Sequence, residues 1–236
     1  SGARTRHDPA LFSKRNLRLL VNNHAGYLKA DVYVDLMDTL SRFAENAPEL
    51  FDGELLGEAL AIMFGANDCY IIRYDWEHCR RLLEVFKKAN PKSFSEDNLI
   101  FVLSRFGESF SIRTSEDRKQ IVNRMLGLFG EANPSSFGAN ALKYVIDNAR
   151  ELRGHGDQDS DTEELLDLFA RNPSAFDETC LLELLDIIAD ERAGITSRLA
   201  FYPSEIILPY FARNPDAFTD TVRAKIMEIL AQNSPH

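Results

Sequence analysis

A short turn motif recurs six times along this chain, and it constrains the fold more than any other feature. Its fullest form is Asn-Pro-x-x-Phe, as in residues 90–94. The six copies occupy residues 8–13, 47–52, 90–95, 133–138, 172–177 and 214–219. Their phenylalanines stand 39 to 43 residues apart, a period typical of repeats made of two helices. The sequence therefore predicts one continuous stack of helical pairs over residues 1–236.

Each copy of the motif is expected to end one helix and begin the next. Proline lacks an amide hydrogen and disfavours helical geometry in the residue before it, so the preceding helix ends near the Asn. The residue after the Phe is Ser, Asp, Gly or Thr, and these residue types favour a helix N-terminus. The Phe would pack on the residue four positions after this cap, as in a hydrophobic staple. That residue is leucine at 17, 56, 99, 142 and 181, and Arg223 in the last copy.

The spacing of apolar residues between the turns predicts an all-α fold. We expect helices at about 13–23, 31–45, 53–64, 76–89, 96–106, 118–131, 139–152, 163–171, 178–190, 205–213 and 220–232. No helix precedes the first turn in this reading, so the first repeat is either half missing or forms a cap. The predicted fold is a right-handed α-solenoid of about five helical hairpins plus an N-terminal half repeat.

Composition places limits on the class of protein. With 236 residues and 44% hydrophobic content, the chain can bury a substantial core. Its apolar runs are short and broken by charge, so we expect neither a membrane span nor a signal peptide. The three cysteines, Cys69, Cys79 and Cys180, are an odd number without paired-ligand spacing. They favour a reducing, intracellular compartment such as the cytoplasm.

The net charge of −10 is unevenly distributed. Residues 154–236 hold sixteen acidic against six basic residues, whereas residues 1–153 hold 21 of each. An acidic C-terminal third repels nucleic acid and favours basic partners, although the same bias can serve solubility alone.

Aligning the second helices of the pairs separates a core face from a variable face. Positions three, four and seven after the staple leucine are apolar in four helices and form the core stripe. Positions two, five and nine after the same leucine lie on the opposite face of the helix, and the residue types there differ from repeat to repeat. From this face we select seven candidate contact residues, here called the ridge. They are Glu58, Phe101, Ser104, Tyr144, Asp147, Glu183 and Asp186.

In this arrangement of helix, turn and helix, the chain resembles the HEAT and armadillo class of α-solenoids. The resemblance implies that the second helices line a concave binding surface through Glu58, Phe101, Tyr144 and Glu183. Aromatic residues dominate binding hot spots, so Phe101 and Tyr144 are the expected anchors, with the acidic ridge residues as contacts for a basic partner. The predicted function is a non-catalytic scaffold that binds a protein partner.

Candidate catalytic and metal-binding segments are weak. Asp157, Asp159 and Asp161 alternate as at the start of an EF-hand loop, but Thr162 and Leu168 replace the required Gly and Glu. Glu77, His78 and Cys79 are adjacent on a predicted helix and would point in different directions. The sequence holds no phosphate-binding glycine loop, nucleophile elbow or His-Glu-x-x-His motif. We therefore expect no metal, no cofactor and no enzymatic activity.

Binding of single-stranded RNA is the alternative function. Aromatic and basic residues alternate at residues 70–74, 110–113 and 198–202, between the repeats. The same segments could instead pack apolar side chains between successive pairs, and the density of basic residues is low for a groove that follows a nucleic-acid backbone. RNA binding would depend on four basic residues, namely Arg73, Arg105, Arg113 and Lys143.

Overall fold

The structure, a computed structural model, describes residues 12–26, 33–64, 76–110, 116–148, 159–192 and 203–232. Within these ranges it is all-α, with eleven α-helices and no strand, so the predicted fold class is confirmed at this level. The helices are α1 (Lys14–Gly26), α2 (Tyr33–Asn46), α3 (Gly53–Phe64), α4 (Trp76–Ala89), α5 (Glu96–Phe110), α6 (Glu116–Ala132), α7 (Ala139–Asp147), α8 (Asp159–Phe169), α9 (Glu178–Arg192), α10 (Pro203–Phe211) and α11 (Asp220–Gln232).

The turn motif separates helices as predicted. In five copies the three residues beginning with proline form a single 3₁₀ turn, at Pro48–Leu50, Pro91–Ser93, Pro134–Ser136, Pro173–Ala175 and Pro215–Ala217. The residue before the proline is extended, with φ −148° and ψ 90° at Asn90, which is the geometry that a following proline favours. The Phe94 amide donates to the Pro91 carbonyl oxygen over 3.1 Å and closes the turn. Of the first copy, only Phe12 and Ser13 are described.

The odd-numbered helices begin at the predicted caps. The amide four residues after the cap donates to the cap carbonyl, as from Leu56 to Asp52 over 3.1 Å. The cap side chain accepts a second hydrogen bond from the amide three residues later, so one of the free amides of the first turn is satisfied. Five caps make this side-chain bond, at 2.9 to 3.4 Å, namely Ser13, Asp52, Ser95, Asp177 and Thr219.

Gly138 has no side chain with which to cap α7, and a carboxylate from the preceding repeat takes this role. Glu96 Oε1 accepts the amide hydrogen of Ala141 at 2.9 Å, and Asn140 Nδ2 donates to Glu96 Oε2 at 3.1 Å. A β-carbon on residue 138 would lie 2.5 Å from Glu96 Oε1. Glycine at residue 138 therefore leaves room for the Glu96 carboxylate, which lies 45 residues before Ala141 in the chain, to cap α7.

The helices form two layers. Each odd-numbered helix packs on the next one from α1 to α11, and the even-numbered helices do the same from α2 to α10. We call these the odd layer and the even layer, and we call the contact between two successive odd helices a seam. The odd layer consists of the second helices of the predicted pairs, so it carries the ridge.

A second series of phenylalanines joins successive repeats inside the core. These residues lie near the C-terminal ends of the even helices, at Phe43, Phe86, Phe129, Phe169 and Phe211. Each meets the turn phenylalanine of the preceding repeat edge-on, with ring centroids 4.9 to 5.3 Å apart. Such edge-to-face pairs align the positive edge of one ring with the negative face of the other.

The asparagine of the motif also connects repeats. Its side-chain amide donates to the carbonyl of the previous turn phenylalanine, from Asn133 to Phe94 at 2.9 Å and from Asn172 to Phe137 at 3.0 Å. Asn214 makes the same bond to Phe176 at 2.8 Å. The motif thus sets the stacking of repeats as well as the local turn.

Several predicted helix ends differ from the structure. The helix predicted at 13–23 extends to Gly26, and the helix predicted at 96–106 extends to Phe110. The helix predicted at 139–152 ends at Asp147, where the Asn148 amide turns back onto the Tyr144 and Ile146 carbonyls. The helix predicted to start at residue 163 starts at Asp159, because the short polar residues taken for a loop form its first turn. The helix predicted at 205–213 runs from Pro203 to Phe211.

Candidate functional site

Four of the ridge residues occupy one helical position, six residues after the cap, and this position faces the preceding odd helix. Glu58 Oε1 on α3 lies 2.8 Å from Arg18 Nη2 on α1. Phe101 on α5 packs edge-on against Phe64 on α3, with centroids 6.0 Å apart. These side chains are half-buried. The ridge therefore lies over the seams of the odd layer, rather than on a face pointing directly away from the core.

The acidic ridge residues are all paired with cations of this chain. Glu183 on α9 lies 2.5 Å from Lys143 on α7, and Asp147 lies 3.6 Å from the same ammonium. Asp186 on α9 lies 2.7 Å from Lys225 on α11. A basic partner would have to share or displace these contacts.

The Lys143 cluster perturbs two pKa values. The hydrogen bond to Glu183 raises the pKa of Lys143, although partial burial acts against it. Desolvation raises the pKa of Asp147 despite the attraction of Lys143, and the negative charge of Glu183 acts in the same direction. The cluster thus holds Lys143 as a cation that serves two carboxylates.

The α1–α3 seam carries a larger ion-pair cluster, which the sequence reading missed. Lys14 Nζ lies 2.6 Å from both Asp52 Oδ2 and Glu54 Oε2, and Arg18 Nη2 lies 2.9 Å from Glu54 Oε1. Partial burial acts to raise the pKa of Asp52, but the hydrogen bond from Lys14 holds it below its ordinary value. The signal in the sequence is that Lys14 and Arg18 stand one and five residues after the cap Ser13. The next cap is Asp52, and Glu54 stands two residues after it.

The middle of the ridge is aromatic. Phe101 packs partly into the core, and the Arg105 guanidinium carbon lies 5.2 Å from its ring centroid, in a cation–π arrangement. Tyr144, on the neighbouring α7, is also half-buried against the core. The Ser104 hydroxyl donates to the Phe101 carbonyl at 2.7 Å, so its proton is used within its own helix. We call Phe101, Arg105 and Tyr144 the middle patch.

A cleft of about 410 Å³ opens on the other side of the molecule, between α4 and α6 of the even layer. It is lined by Trp76, the only tryptophan of the chain, and by Arg80, Arg124 and Glu77 among others. Arg80 binds Glu77 through two hydrogen bonds of 2.8 and 2.9 Å. These bonds, with help from Arg81, lower the pKa of Glu77 to about 2.

The other acids of this cleft are also paired. Lys87 Nζ lies 2.6 Å from Glu131 and 3.6 Å from Glu84. Gly127 lines the cleft with open space where a β-carbon would stand. The sequence reading considered this helix only as a weak metal site and did not predict the cleft.

The structure separates the residues first considered for chemistry. His78 and Cys79 are buried while Glu77 is exposed, so the three side chains diverge as predicted. The Cys180 thiol is buried, donates to the Ala139 carbonyl at 3.1 Å and has a pKa raised mainly by burial, which makes it a poor nucleophile. Cys69 lies outside the described residues.

The remaining candidate residues are only partly described. Asp157 lies outside the described residues, and for Asp159 and Asp161 only the helical backbone is described. Among the described side chains, no group of three His, Cys, Asp or Glu residues is placed to hold a metal ion. Of the basic residues named for RNA, Arg73 and Arg113 lie outside the described ranges. Arg105 and Lys143 make the intramolecular contacts given above.

Comparisons with family models, with curated proteins and with solved structures found no match. None of the helices in the described ranges combines the length and the apolar character needed to cross a bilayer. The function must therefore be argued from the surfaces themselves.

Proposed function

We propose that this protein is a non-catalytic scaffold, a right-handed α-solenoid of about five helical pairs and a half repeat, which binds a protein partner along its odd layer. We place it in a reducing, intracellular compartment. The observation that carries the proposal is the change in chemistry, from α3 to α11, at the position six residues after the cap. This position is charged and ion-paired at Glu58, Glu183 and Lys225, and aromatic at Phe101 and Tyr144.

The middle patch supplies the features that protein interfaces favour. Tyrosine and arginine are enriched at binding hot spots, and aromatic rings give large contact areas at low entropic cost. Phe101 and Tyr144 are half-buried, so each ring is held by the core on one side and accessible on the other. Arg105 lies against Phe101 and adds a cationic edge to the patch.

The acidic ridge residues act as a rim around this patch in the proposed complex. Glu58, Asp147, Glu183 and Asp186 already have cationic partners, so a basic partner would exchange one ion pair for another. Such exchange at a solvated rim changes affinity little and influences orientation and association rate more. The middle patch, and not the charged rim, is therefore expected to determine the affinity for the partner.

The test is capture of partners from native lysate by the wild-type chain and by the Phe101→Ala/Tyr144→Ala double variant, each with and without nuclease. We expect a nuclease-resistant protein partner that the double variant loses. Arg81→Ala/Lys88→Ala is the matched control, because both residues are exposed on the even layer and their loss should leave capture unchanged. Far-UV circular dichroism and a urea melt establish that each variant is folded.

Other outcomes would overturn the proposal. Capture that disappears with nuclease would favour the RNA alternative, and salt-sensitive binding that requires Arg73, Arg105, Arg113 and Lys143 would then be expected. A partner retained by the double variant but lost after Trp76→Ala would place the binding surface at the even-layer cleft. If the double variant unfolds, Phe101→Leu/Tyr144→Leu keeps apolar volume while removing both rings.

A further inference from the structure

The cleft between α4 and α6 has features of a ligand site that the proposed function does not use. Its volume of about 410 Å³ lies within the range typical of ligand clefts in proteins. Trp76 and Arg80 line it from α4, and Arg124, Gly127 and Leu128 line it from α6. Residues three or four apart share one side of a helix, so each helix presents one face to the cleft.

The two helices run in the same direction along the cleft. Phe94 follows α4 in the chain and meets Phe129 near the end of α6, so the C-terminal ends of both helices lie together. Lys87 Nζ lies 2.6 Å from Glu131, which is 44 residues later in the chain, and this ion pair joins the helices near those ends. Closer to their N-terminal ends, no ion pair joins α4 to α6 among the described residues.

The N-terminal end of the cleft carries two guanidinium groups and an indole. The 44-residue offset of the joining ion pair places Arg124 level with Arg80. Arg80 is bound to Glu77 through two hydrogen bonds, whereas Arg124 is exposed and makes no ion pair with a described residue. Trp76 is half-buried, with part of its side chain packed on the core.

The carboxylates of the cleft are already neutralised by cations of this chain. Glu77 is held by two arginines of its own helix, and Lys87 holds both Glu84 and Glu131. Within the described part of the chain, Arg124 is thus the lining charge that remains without a counterion. A guanidinium of this kind favours an anionic ligand, and its planar fork matches a carboxylate.

Gly127 provides space for an apolar group beside this guanidinium. It lies inside the seventeen-residue helix α6, where glycine stabilises a helix less than alanine does. Nothing lies within 4 Å of the position that its β-carbon would occupy, so packing does not require a glycine there. The missing side chain widens the cleft, whose apolar walls are Trp76 and Leu128.

We propose that this cleft binds an acidic peptide segment of a partner protein, in which a carboxylate side chain adjoins an apolar side chain. The carboxylate pairs with Arg124, and the apolar side chain lies over Gly127 against the Trp76 ring. The cleft is open to solvent, so its ligand can remain part of a longer chain. One ion pair and one apolar anchor support only weak, reversible binding. The inference concerns the even layer and does not depend on the proposed binding along the odd layer.

The fluorescence of Trp76 provides a direct test, because this is the only tryptophan of the chain. The whole chain is titrated with a short blocked peptide that carries glutamate next to leucine at its centre, and tryptophan is excited selectively over tyrosine. We expect a saturable blue shift of the emission, since the bound peptide shields the half-buried indole from water. A matched peptide with glutamine in place of glutamate should bind about tenfold more weakly, because it forms no ion pair.

Variants of the cleft assign the two contacts. Arg124→Gln should weaken binding of the glutamate peptide about tenfold and remove its advantage over the glutamine peptide. Lys88→Gln is the control, because it removes the same charge from an exposed site on α4 that does not line the cleft. Gly127→Leu should fill the cleft and abolish binding without lowering the thermal midpoint, since its β-carbon meets open space and leucine favours a helix.

Several outcomes would overturn the proposal. They are an unchanged emission up to about 1 mM peptide, equal binding of the glutamate and glutamine peptides, and tighter binding of a peptide with lysine in place of glutamate. A response to free hydrocinnamate without a response to the peptide would show that the ligand is a small organic acid and not a peptide. Phe101→Ala/Tyr144→Ala should bind the peptide like the wild type, so this test and the test of the middle patch can fail separately.

Discussion

The turns at 133–138 and 214–219 share one motif but differ in their surroundings. Phe137 is fully buried and meets Phe169 edge-on, with centroids 5.1 Å apart. Phe218 is half-buried, and no later phenylalanine meets it among the described residues. Leu142 is buried four residues after the first cap, whereas Arg223 is exposed at the same place after the second. The motif thus forms its turn locally but gains most of its burial from the repeat that follows.

The largest effect on stability is expected from truncating the turn phenylalanines Phe137 and Phe218 to alanine, each in its own variant. Phe137→Ala should reduce the free energy of unfolding by about 3–5 kcal/mol, because it removes a fully buried ring and its aromatic partner. Phe94→Ala should cost a similar amount, since Phe94 meets Phe129 in the same way. Phe218→Ala should cost about 1 kcal/mol, the typical effect of a less buried site.

Urea denaturation followed by circular dichroism measures all three variants. Repeat arrays can lose cooperativity, so midpoints and slopes are compared together with the extrapolated free energies. Equal losses for Phe137→Ala and Phe218→Ala would show that the turn itself, and not the following repeat, determines the contribution.

The asparagine bond between repeats should have a smaller effect. Asn172→Ala removes the 3.0 Å hydrogen bond to the Phe137 carbonyl and leaves that part-buried oxygen without it, at a cost of about 1–2 kcal/mol. Asn46→Ala is the control, because its side chain binds the Arg42 carbonyl within one exposed helix turn. A similar loss in both variants, measured by urea denaturation, would contradict a specific role in stacking.

Residue 138 allows the cap from the preceding repeat to be tested. Gly138→Ala should displace the Glu96 carboxylate, uncap Ala141 and cost about 1 kcal/mol. Gly138→Ser should be nearly neutral, because its hydroxyl can cap α7 as Ser95 caps α5. In a Glu96→Ala background, Gly138→Ala should lose its penalty. A penalty that persists in this background, in thermal denaturation, would contradict the explanation.

The smallest effect on stability is expected from the Glu77–Arg80 ion pair. Both residues lie on one helix, so the pair does not depend on the neighbouring repeat. In an NMR-monitored titration, the Glu77 carboxylate should show a pKa of about 2. Arg80→Gln should return this pKa toward its ordinary value of 4.5. Since the folded-state pKa is lowered, the contribution to stability is present above pH 4.5 and is lost as the pH falls through about 2. A pKa unchanged by Arg80→Gln would contradict this assignment.

The repeat period, the all-α class and most helix boundaries to within two residues could be predicted from the sequence. The bounds of α3, α4 and α11 agree with those predicted. This success has a local cause, because proline stereochemistry, capping and apolar spacing act within one or two turns of chain. Where a local signal is ambiguous, as in the polar residues before α8, the prediction was wrong by four residues.

Which side chains meet across a seam depends on the packing of repeats and is visible only in the structure. Asn172 and the Phe137 carbonyl are 35 residues apart, and Glu96 and Ala141 are 45 apart. Periodicity predicted that Glu58, Phe101 and Glu183 leave the core stripe, but it could not show that they face the preceding helix. The physical reason is that the period of the side chains shows on which face of its own helix a residue lies. The residue that it contacts across a seam depends on the register and rotation of the adjacent repeat.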